Sequence, residues 1–229
     1  MSDSSEYVTG GYFLTQLFRR PQQMNADLVP ETVVTISTCL TEVIPCAWYP
    51  NEEPDKRNLE SAAKMGVPAD RLNDVYPWMR EHPSQPPIWP YAFAEADRAR
   101  EFAREFLAAA EDVFLIGASL PAESVGIFLE EAGDKWVSEF TEVVRLKQPR
   151  ARGGTLLGYE ILGDAINEYH TLLCTSGEND VCGQMGIRLN QHGLFDSLAD
   201  ASRAAQWSSE EGNAEPVVYL PWRIERYAW

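Results

Sequence analysis

Apolar residues recur at intervals of three and four in several segments of the chain, which is the pattern of helices with one buried face. The clearest such segment spans residues 91–111, where Ala99, Phe102 and Phe106 fall on a single stripe. Charged residues occupy the opposite side, as expected for a helix that packs on a core. The same reasoning predicts four other helices: one that ends at Gly66, one that begins at Pro121, and one each over residues 70–80 and 199–212.

Segments rich in valine, threonine, isoleucine and aromatic residues predict strands. Pro216 and Pro221 place the last of these strands at a sheet edge, because proline cannot donate a ladder hydrogen bond. Helices and strands alternate without a regular βαβ repeat, so we predict an α+β fold with a mixed sheet. The predicted strands are residues 31–45, 113–117 and 214–229, and residues 12–18 fit either a helix or a strand. Residues 135–146 also fit either, and their valine and aromatic content favours a strand.

A proline-rich segment, residues 77–90, interrupts this pattern. Proline fixes φ and removes a backbone donor, so the segment is expected to be extended and irregular. We expect it to wrap onto the domain through Trp78 and Trp89, and it is the best candidate for an internal boundary. Residues 1–10 are predicted to be a flexible terminus, and residues 11–229 a single compact domain.

The charge of the chain narrows the classes of partner. Nineteen lysine and arginine residues against 35 aspartate and glutamate residues give a formal charge of −16. A field of this sign repels nucleic acids and anionic membranes and attracts basic proteins. No secretory signal and no membrane-spanning apolar run is evident. We therefore expect a cytoplasmic protein that binds neither nucleic acid nor membrane, with its cysteines reduced.

Two of the three histidines and two of the four cysteines lie close together in the sequence. His170 and Cys174 would share a face of a helix, as two ligands of one zinc ion could. The other spacings match no standard zinc motif, and no CxxC pair is present. A Cys/His nucleophile pair also fits the composition. We favour a structural role and predict no metal or other cofactor; the residues concerned are His170, Cys174, Cys182 and His192.

Motifs of common enzymes are missing from the sequence. The glycine-bearing segments FLIGASLPAE and RARGGTLLGYEILGD match neither the dinucleotide-binding fingerprint nor the P-loop. No G-x-S-x-G or H-E-x-x-H motif occurs. The sequence therefore predicts a protein that is not an enzyme.

Acidic residues form two clusters that could dock a basic partner. In one of them, called the second cluster because it comes later in the chain, Glu160, Asp164 and Glu168 recur every four residues. They would form one stripe if the segment were helical. A solvated face is the simpler interpretation of either cluster alone. Together with the charge of the whole chain, they favour a docking face for a basic protein. The first cluster is Glu130, Glu131, Asp134, Glu139 and Glu142, with Glu123 preceding them in the sequence.

The C-terminal third resembles bacterial immunity proteins, the antitoxins encoded beside polymorphic or contact-delivered toxins. The resemblance lies in the order of three segments within residues 156–229, namely LLGYEILGDAINEYHTLLC, GIRLNQHGLFDSLADASRAAQW and AEPVVYLPWRIERYAW. It implies a class of protein and assigns no functional residue. Such proteins block cationic toxins, and an acidic surface accelerates that encounter.

These observations favour an acidic protein that neutralises a basic partner, most simply a toxin. Two alternatives remain at this stage. One is a zinc-binding or thiol-dependent enzyme built on the His/Cys residues, and the other is a regulatory homodimer without catalytic activity. The favoured binding protein is expected to be a monomer or a homodimer.

Overall fold

A computed structural model describes residues 7–37, 39–44, 56–82, 92–132, 139–165, 168–175, 177–210 and 217–229, and every structural statement below concerns these residues. Helices and antiparallel strands are mixed in it, so the predicted α+β class is confirmed. The strands are β1 (Tyr7–Gln16), β2 (Phe18–Arg19), β3 (Thr32–Val33), β4 (Val43–Ile44), β5 (Val113–Pro121), β6 (Thr155–Ala165), β7 (Glu168–Thr171) and β8 (Tyr219–Tyr227).

The helices flank one central sheet. Its six antiparallel strands have the order β4-β1-β5-β8-β6-β7, and β2 pairs with β3 in a separate ribbon. No described helix has the length and apolar character needed to cross a bilayer. The helices are α1 (Lys56–Lys64), α2 (Leu72–Glu81), α3 (Ala96–Phe106), α4 (Val125–Ala132), α5 (Glu139–Arg145), α6 (Glu178–Met185) and α7 (Leu198–Ser209).

Alternation along the strands divides the core between the two faces of the sheet. On the first face, Tyr12 and Leu115 pack with α1, α2 and α3, and Ile161 packs with α6 and α7. On the second face, Phe13 and Trp222 pack with α4, α5 and residues of the segment between β3 and β4. The second face therefore places that segment directly over β6.

Residues 31–45 do not form the single long strand that their composition predicts. Among the described residues of this stretch, only the short strands β3 and β4 are present, and residues 39–40 form a turn. The Thr35 hydroxyl accepts a 3.0 Å hydrogen bond from the Ser37 N–H, and the Ser37 carbonyl accepts one from the Leu40 N–H at 3.1 Å. Local hydrogen bonds from hydroxyl side chains compete with strand pairing, which explains the failure of the β-propensity argument.

Two further predictions about strands are wrong. The predicted strand at 135–146 contains helix α5, because Thr141 and Val144, three residues apart, are buried together against the rest of the fold. Strand β8 is not at an edge, since β5 and β6 flank it. Its Pro221 pairs with Ile161 of β6, and the ladder to β5 begins only at Arg223, so the missing N–H costs that ladder nothing.

Two segments that were predicted to be irregular are partly helix or strand. Strand β1 begins at Tyr7, so residues 7–10 belong to the sheet rather than to a flexible terminus. Pro77 and Trp78 lie in helix α2 rather than in an extended segment. Trp78 does pack onto the domain, with its ring 5.3 Å from that of Phe102. Trp89 and the remainder of the proline-rich segment after residue 82 lie outside the described residues.

Candidate functional site

Three side chains with soft-metal or nucleophilic chemistry converge at the edge of the sheet. Cys39, His170 and Cys174 each offer one ligand atom, and these atoms all lie within 4.8 Å of one another. We call this set the Cys–His–Cys cluster. Cys39 is exposed, whereas His170 and Cys174 are half-buried, so the cluster lies at the surface with one open side.

The turn between β3 and β4 presents Cys39. Hydrogen bonds from the N–H groups of Leu40 and Thr41 to the Ser37 carbonyl close this turn around residue 39. The Thr41 hydroxyl donates to the Gln16 carbonyl at 3.0 Å and fastens the turn to the end of β1. Cys39 is therefore held by backbone geometry near the sheet edge.

Strand β7 and the 3-10 turn that follows it present the other two members. His170 lies within β7, which pairs with β6 at the edge of the sheet. The turn Leu172–Thr175 then reverses the chain, and the Thr171 N–H donates to the Cys174 sulfur at 3.4 Å. Leu172 and Leu173 are buried and anchor the turn, so Cys174 has little freedom to move away from His170.

Burial raises the pKa of the Cys174 thiol above its ordinary value. Hydrogen bonds from Ser37, the Thr171 backbone and Cys39 oppose this shift, while the charge of Glu160 reinforces it. The Ser37 hydroxyl lies 3.3 Å from the sulfur. A thiol of raised pKa is protonated at neutral pH, which argues against Cys174 as an activated nucleophile.

A buried carboxyl group lies beneath the same turn. Glu160 of β6 is 4% exposed, and its Oε1 accepts a 2.5 Å hydrogen bond from the Thr35 hydroxyl. Burial raises the pKa of Glu160 to about 7, although hydrogen bonds from Thr35, Thr171 and the Ile36 backbone favour the ionised form. The turn and the sheet are thus joined by a carboxyl group that titrates near neutral pH.

A polar cleft of about 620 Å³ opens beside Cys39. Its walls come from the end of β1, the turn between β3 and β4, and helix α1, and they include Gln16, Thr41 and Lys64. Lys64 forms a 2.7 Å ion pair with Glu42 across it. The open side of the Cys–His–Cys cluster therefore borders solvent that a small polar molecule can reach.

The structure does not bring together all four candidate ligands of the sequence analysis, which were His170, Cys174, Cys182 and His192. His170 and Cys174 do come together, but Cys182 lies on α6, where it is 1% exposed and packs in the core with residues of α7. His192 lies elsewhere, in a shallow pocket with Phe114. Cys39 was not among the predicted members of the group, because it lies 131 residues from His170 in the sequence and no local spacing connects them.

The acidic residues proposed as a docking face have different environments. Glu160 is buried in a strand, so the predicted helical stripe of Glu160, Asp164 and Glu168 is wrong. The backbone of Asp164 and Glu168 lies at the hairpin of β6 and β7. Their side chains are outside the described part of the structure. The same applies to the Glu139 side chain, and Asp134 lies outside the described residues altogether.

The remaining members of the first cluster lie on two helices that contact each other. Glu130 and Glu131 are exposed on α4, and Glu142 on α5 forms a 2.5 Å ion pair with Arg145. Two exposed apolar side chains lie among them. Ile127 on α4 is 49% exposed, and Leu146, directly after α5, is 42% exposed. We call Ile127, Glu130, Glu131, Glu142 and Leu146 the α4–α5 surface.

Helical spacing places the acidic and apolar members of this surface side by side. Ile127 precedes Glu130 by three residues and Glu131 by four, so the three share one face of α4. Leu146 follows Glu142 by four residues. Basic residues are present as well, in Arg145 and the exposed Lys147.

Comparisons with protein-family models, with curated proteins and with solved structures find no match to this chain.

Proposed function

We propose that this chain is an acidic binding protein that neutralises a basic protein partner, most simply an immunity protein that blocks a bacterial toxin in the cytoplasm. The observation that carries the proposal is the α4–α5 surface, where exposed apolar side chains lie among carboxylates. Apolar contacts and charge complementarity are the two components from which protein interfaces of this kind are built.

Electrostatics supports a basic partner rather than an acidic one. The chain carries a formal charge of −16, and a field of that size accelerates encounters with a cationic protein. Glu130 and Glu131 lie exposed beside Ile127, where they can pair with lysine or arginine of the partner as the apolar side chain is covered. Affinity is then expected to fall as salt concentration rises.

Apolar exposure supports this particular location. Ile127 and Leu146 are two of the three large apolar side chains that are exposed in the described residues, and both belong to the α4–α5 surface. Scattered apolar residues are common on protein surfaces, but these two lie on, or directly after, two contacting helices, and each lies about one helical turn from a carboxylate. Exposed apolar area beside charged groups can supply a desolvated centre and a polar rim of an interface.

The test is capture of the partner followed by a toxicity assay. Immobilised full-length protein is exposed to lysate of the source cell at low and at high salt, and captured proteins are identified by mass spectrometry. The decisive variant is Ile127→Asp with Glu130→Lys and Glu131→Lys. The matched control carries Glu81→Lys and Glu111→Lys, which are exposed and lie away from α4.

We expect one basic protein to be captured in a salt-sensitive manner by the wild type and the control, and at least tenfold less by the α4–α5 variant. Expression of the captured protein alone should arrest growth, and co-expression of the wild-type chain should restore it. Equal capture by both variants would remove the α4–α5 surface from the proposal. A captured protein that has no effect on growth would remove the immunity function.

A further inference from the structure

The distances within the Cys–His–Cys cluster are close to those of a tetrahedral metal site. Zinc bonds of about 2.3 Å to sulfur and about 2.1 Å to nitrogen, at tetrahedral angles, separate the ligand atoms by roughly 3.6 to 3.8 Å. The Cys39 sulfur lies 4.0 Å from Nδ1 of His170, and all three ligand atoms lie within 4.8 Å of one another. Movements of a few tenths of an ångström up to about 1 Å would bring them to bonding geometry.

The donor types select the class of metal. Two thiolates and one imidazole are soft or borderline ligands, which favour zinc and copper(I) over magnesium or calcium. Carboxylates, which the hard cations require, are not part of the group. The site therefore differs in kind from the acidic clusters on the surface of the protein.

The scaffold restrains the ligands without a metal. Cys174 is held in the 3-10 turn by the buried Leu172 and Leu173, and His170 by the pairing of β7 with β6. Cys39 is exposed in a turn anchored to β1 through Thr41, so it is the ligand best able to shift. Two fixed ligands and one adjustable ligand suit binding of an ion from solution.

We propose that Cys39, His170 and Cys174 bind one thiophilic transition-metal ion, zinc in the simplest case, with a fourth position open toward the polar cleft beside Cys39. Three protein ligands and one solvent position are the arrangement of zinc sites that retain an exchangeable water. The ion would also fasten the turn between β3 and β4 to the edge strand β7, two segments 131 residues apart in the sequence. This site does not depend on the partner-binding proposal, because it shares no residue with the α4–α5 surface.

The test titrates the reduced full-length protein with cobalt(II) and then with zinc in competition with a chromophoric chelator. Cobalt(II) reports thiolate ligation by a charge-transfer band and tetrahedral geometry by intense visible bands. Two thiols this close can oxidise to a disulfide, so a phosphine reductant is present throughout. The variants are Cys39→Ser, His170→Ala and Cys174→Ala, and the matched controls are Cys182→Ala and His192→Ala.

We expect one ion per chain, both cobalt bands, and a melting temperature that rises on addition of zinc. Each ligand variant should weaken zinc binding by at least about tenfold, the lower end of what loss of even an outer-shell partner costs. The two controls should bind zinc as the wild type does. Cys39→Ser is the variant that keeps the test decisive if the others fold poorly, because residue 39 is exposed.

Two results would overturn the proposal. One is the absence of a thiolate charge-transfer band in the wild-type protein at saturating cobalt. The other is zinc binding, with its thiolate band, that survives unchanged in Cys39→Ser. Failure of this site would leave the partner-binding proposal intact, since the capture experiment uses different residues.

Discussion

The hydroxyl of Thr35 donates a 2.5 Å hydrogen bond to the carboxyl group of Glu160, and the two residues are 125 positions apart in the chain. The bond joins the segment between β3 and β4 to β6, the strand that pairs with the edge strand β7. Since Glu160 is almost fully buried, ionisation of its carboxyl group carries a desolvation cost and affects the stability of the fold.

The first prediction concerns the pH dependence of stability. The pKa of Glu160 is raised from 4.5 to about 7, so the unfolded chain ionises at a lower pH than the folded protein. The stability that this group contributes is complete below pH 4.5 and is lost as the pH rises through 7. Glu160→Gln keeps an acceptor for Thr35 but cannot ionise, so it should be more stable than the wild type at pH 8.

The expected gain in the free energy of unfolding is up to about 3 kcal/mol at pH 8, at about 1.4 kcal/mol per unit of pKa. At pH 4.5 the two proteins should differ little. Urea unfolding at a series of pH values measures the difference, with the exposed Glu131→Gln as the control. A gain that is the same at every pH would show that ionisation of Glu160 is not its cause.

The second prediction tests which side of α4 faces the core. Phe128 is buried, with its ring 5.4 Å from that of Trp222, whereas the adjacent Ile127 is half-exposed. Phe128→Ala should lower the free energy of unfolding by about 3–5 kcal/mol, because it leaves a cavity. Ile127→Ala should change it by less than about 0.5 kcal/mol. Comparable losses in thermal or urea unfolding would mean that α4 is oriented differently.

The third prediction concerns the reactivity of the thiols. Cys39 is exposed, Cys174 is half-buried with a raised pKa, and Cys182 is buried. Of these three described thiols, iodoacetamide should modify Cys39 first, Cys174 more slowly and Cys182 only on unfolding, because the thiolate is the reactive species. Time-resolved peptide mass spectrometry of the metal-free protein gives the order. Modification of Cys174 before Cys39 would contradict the environment described for both.

The fourth prediction compares two glycines. Gly158 lies at a bulge in β6 with φ of +148°, and a Cβ atom there would lie 2.8 Å from the Leu194 Cβ and from the Phe195 carbonyl oxygen. Gly158→Ala should therefore lower the free energy of unfolding by about 2–4 kcal/mol through strain and overpacking.

Gly126 is the matched control on α4, since a Cβ atom there meets nothing within 4 Å. Gly126→Ala should raise the free energy of unfolding by about 0.5–1 kcal/mol, the difference in helix propensity. Both values come from the same urea unfolding experiment. A neutral Gly158→Ala would show that the bulge can relax around a methyl group.

Local sequence patterns were enough to locate several helices. In α3 the apolar residues Ala99, Phe102 and Phe106 repeat at helical spacing, and all three are buried. In α7, Ser197 caps the helix by accepting the Asp200 N–H at 3.1 Å. Such features depend on residues within one or two turns of one another, so periodicity and capping predict them without knowledge of the tertiary fold.

Patterns failed where distant residues decide the structure. Val143 and Val144 favour a strand by propensity, yet packing against β1 and α4 makes their segment helix α5. The prolines of β8 predicted an edge strand, yet β8 pairs with both β5 and β6. This is possible because Pro221 lies outside the ladder to β5, which begins at Arg223. Propensity is worth too little energy to outweigh burial of a whole face.

The sequence by itself determined the α+β class and the acidic charge, because these follow from composition and short-range patterns. The spacing of His170 and Cys174 suggested a shared helical face, but His170 lies in strand β7 and Cys174 in the 3-10 turn after it. Only the tertiary structure decided that Cys39 joins them, that Cys182 and His192 do not, and that Glu160 is buried rather than part of a docking face. Contacts between residues more than a hundred positions apart are set by how sheet and turn pack together. Bringing such segments together costs loop-closure entropy, and burial of the whole core offsets that cost. No local sequence pattern therefore predicts these contacts.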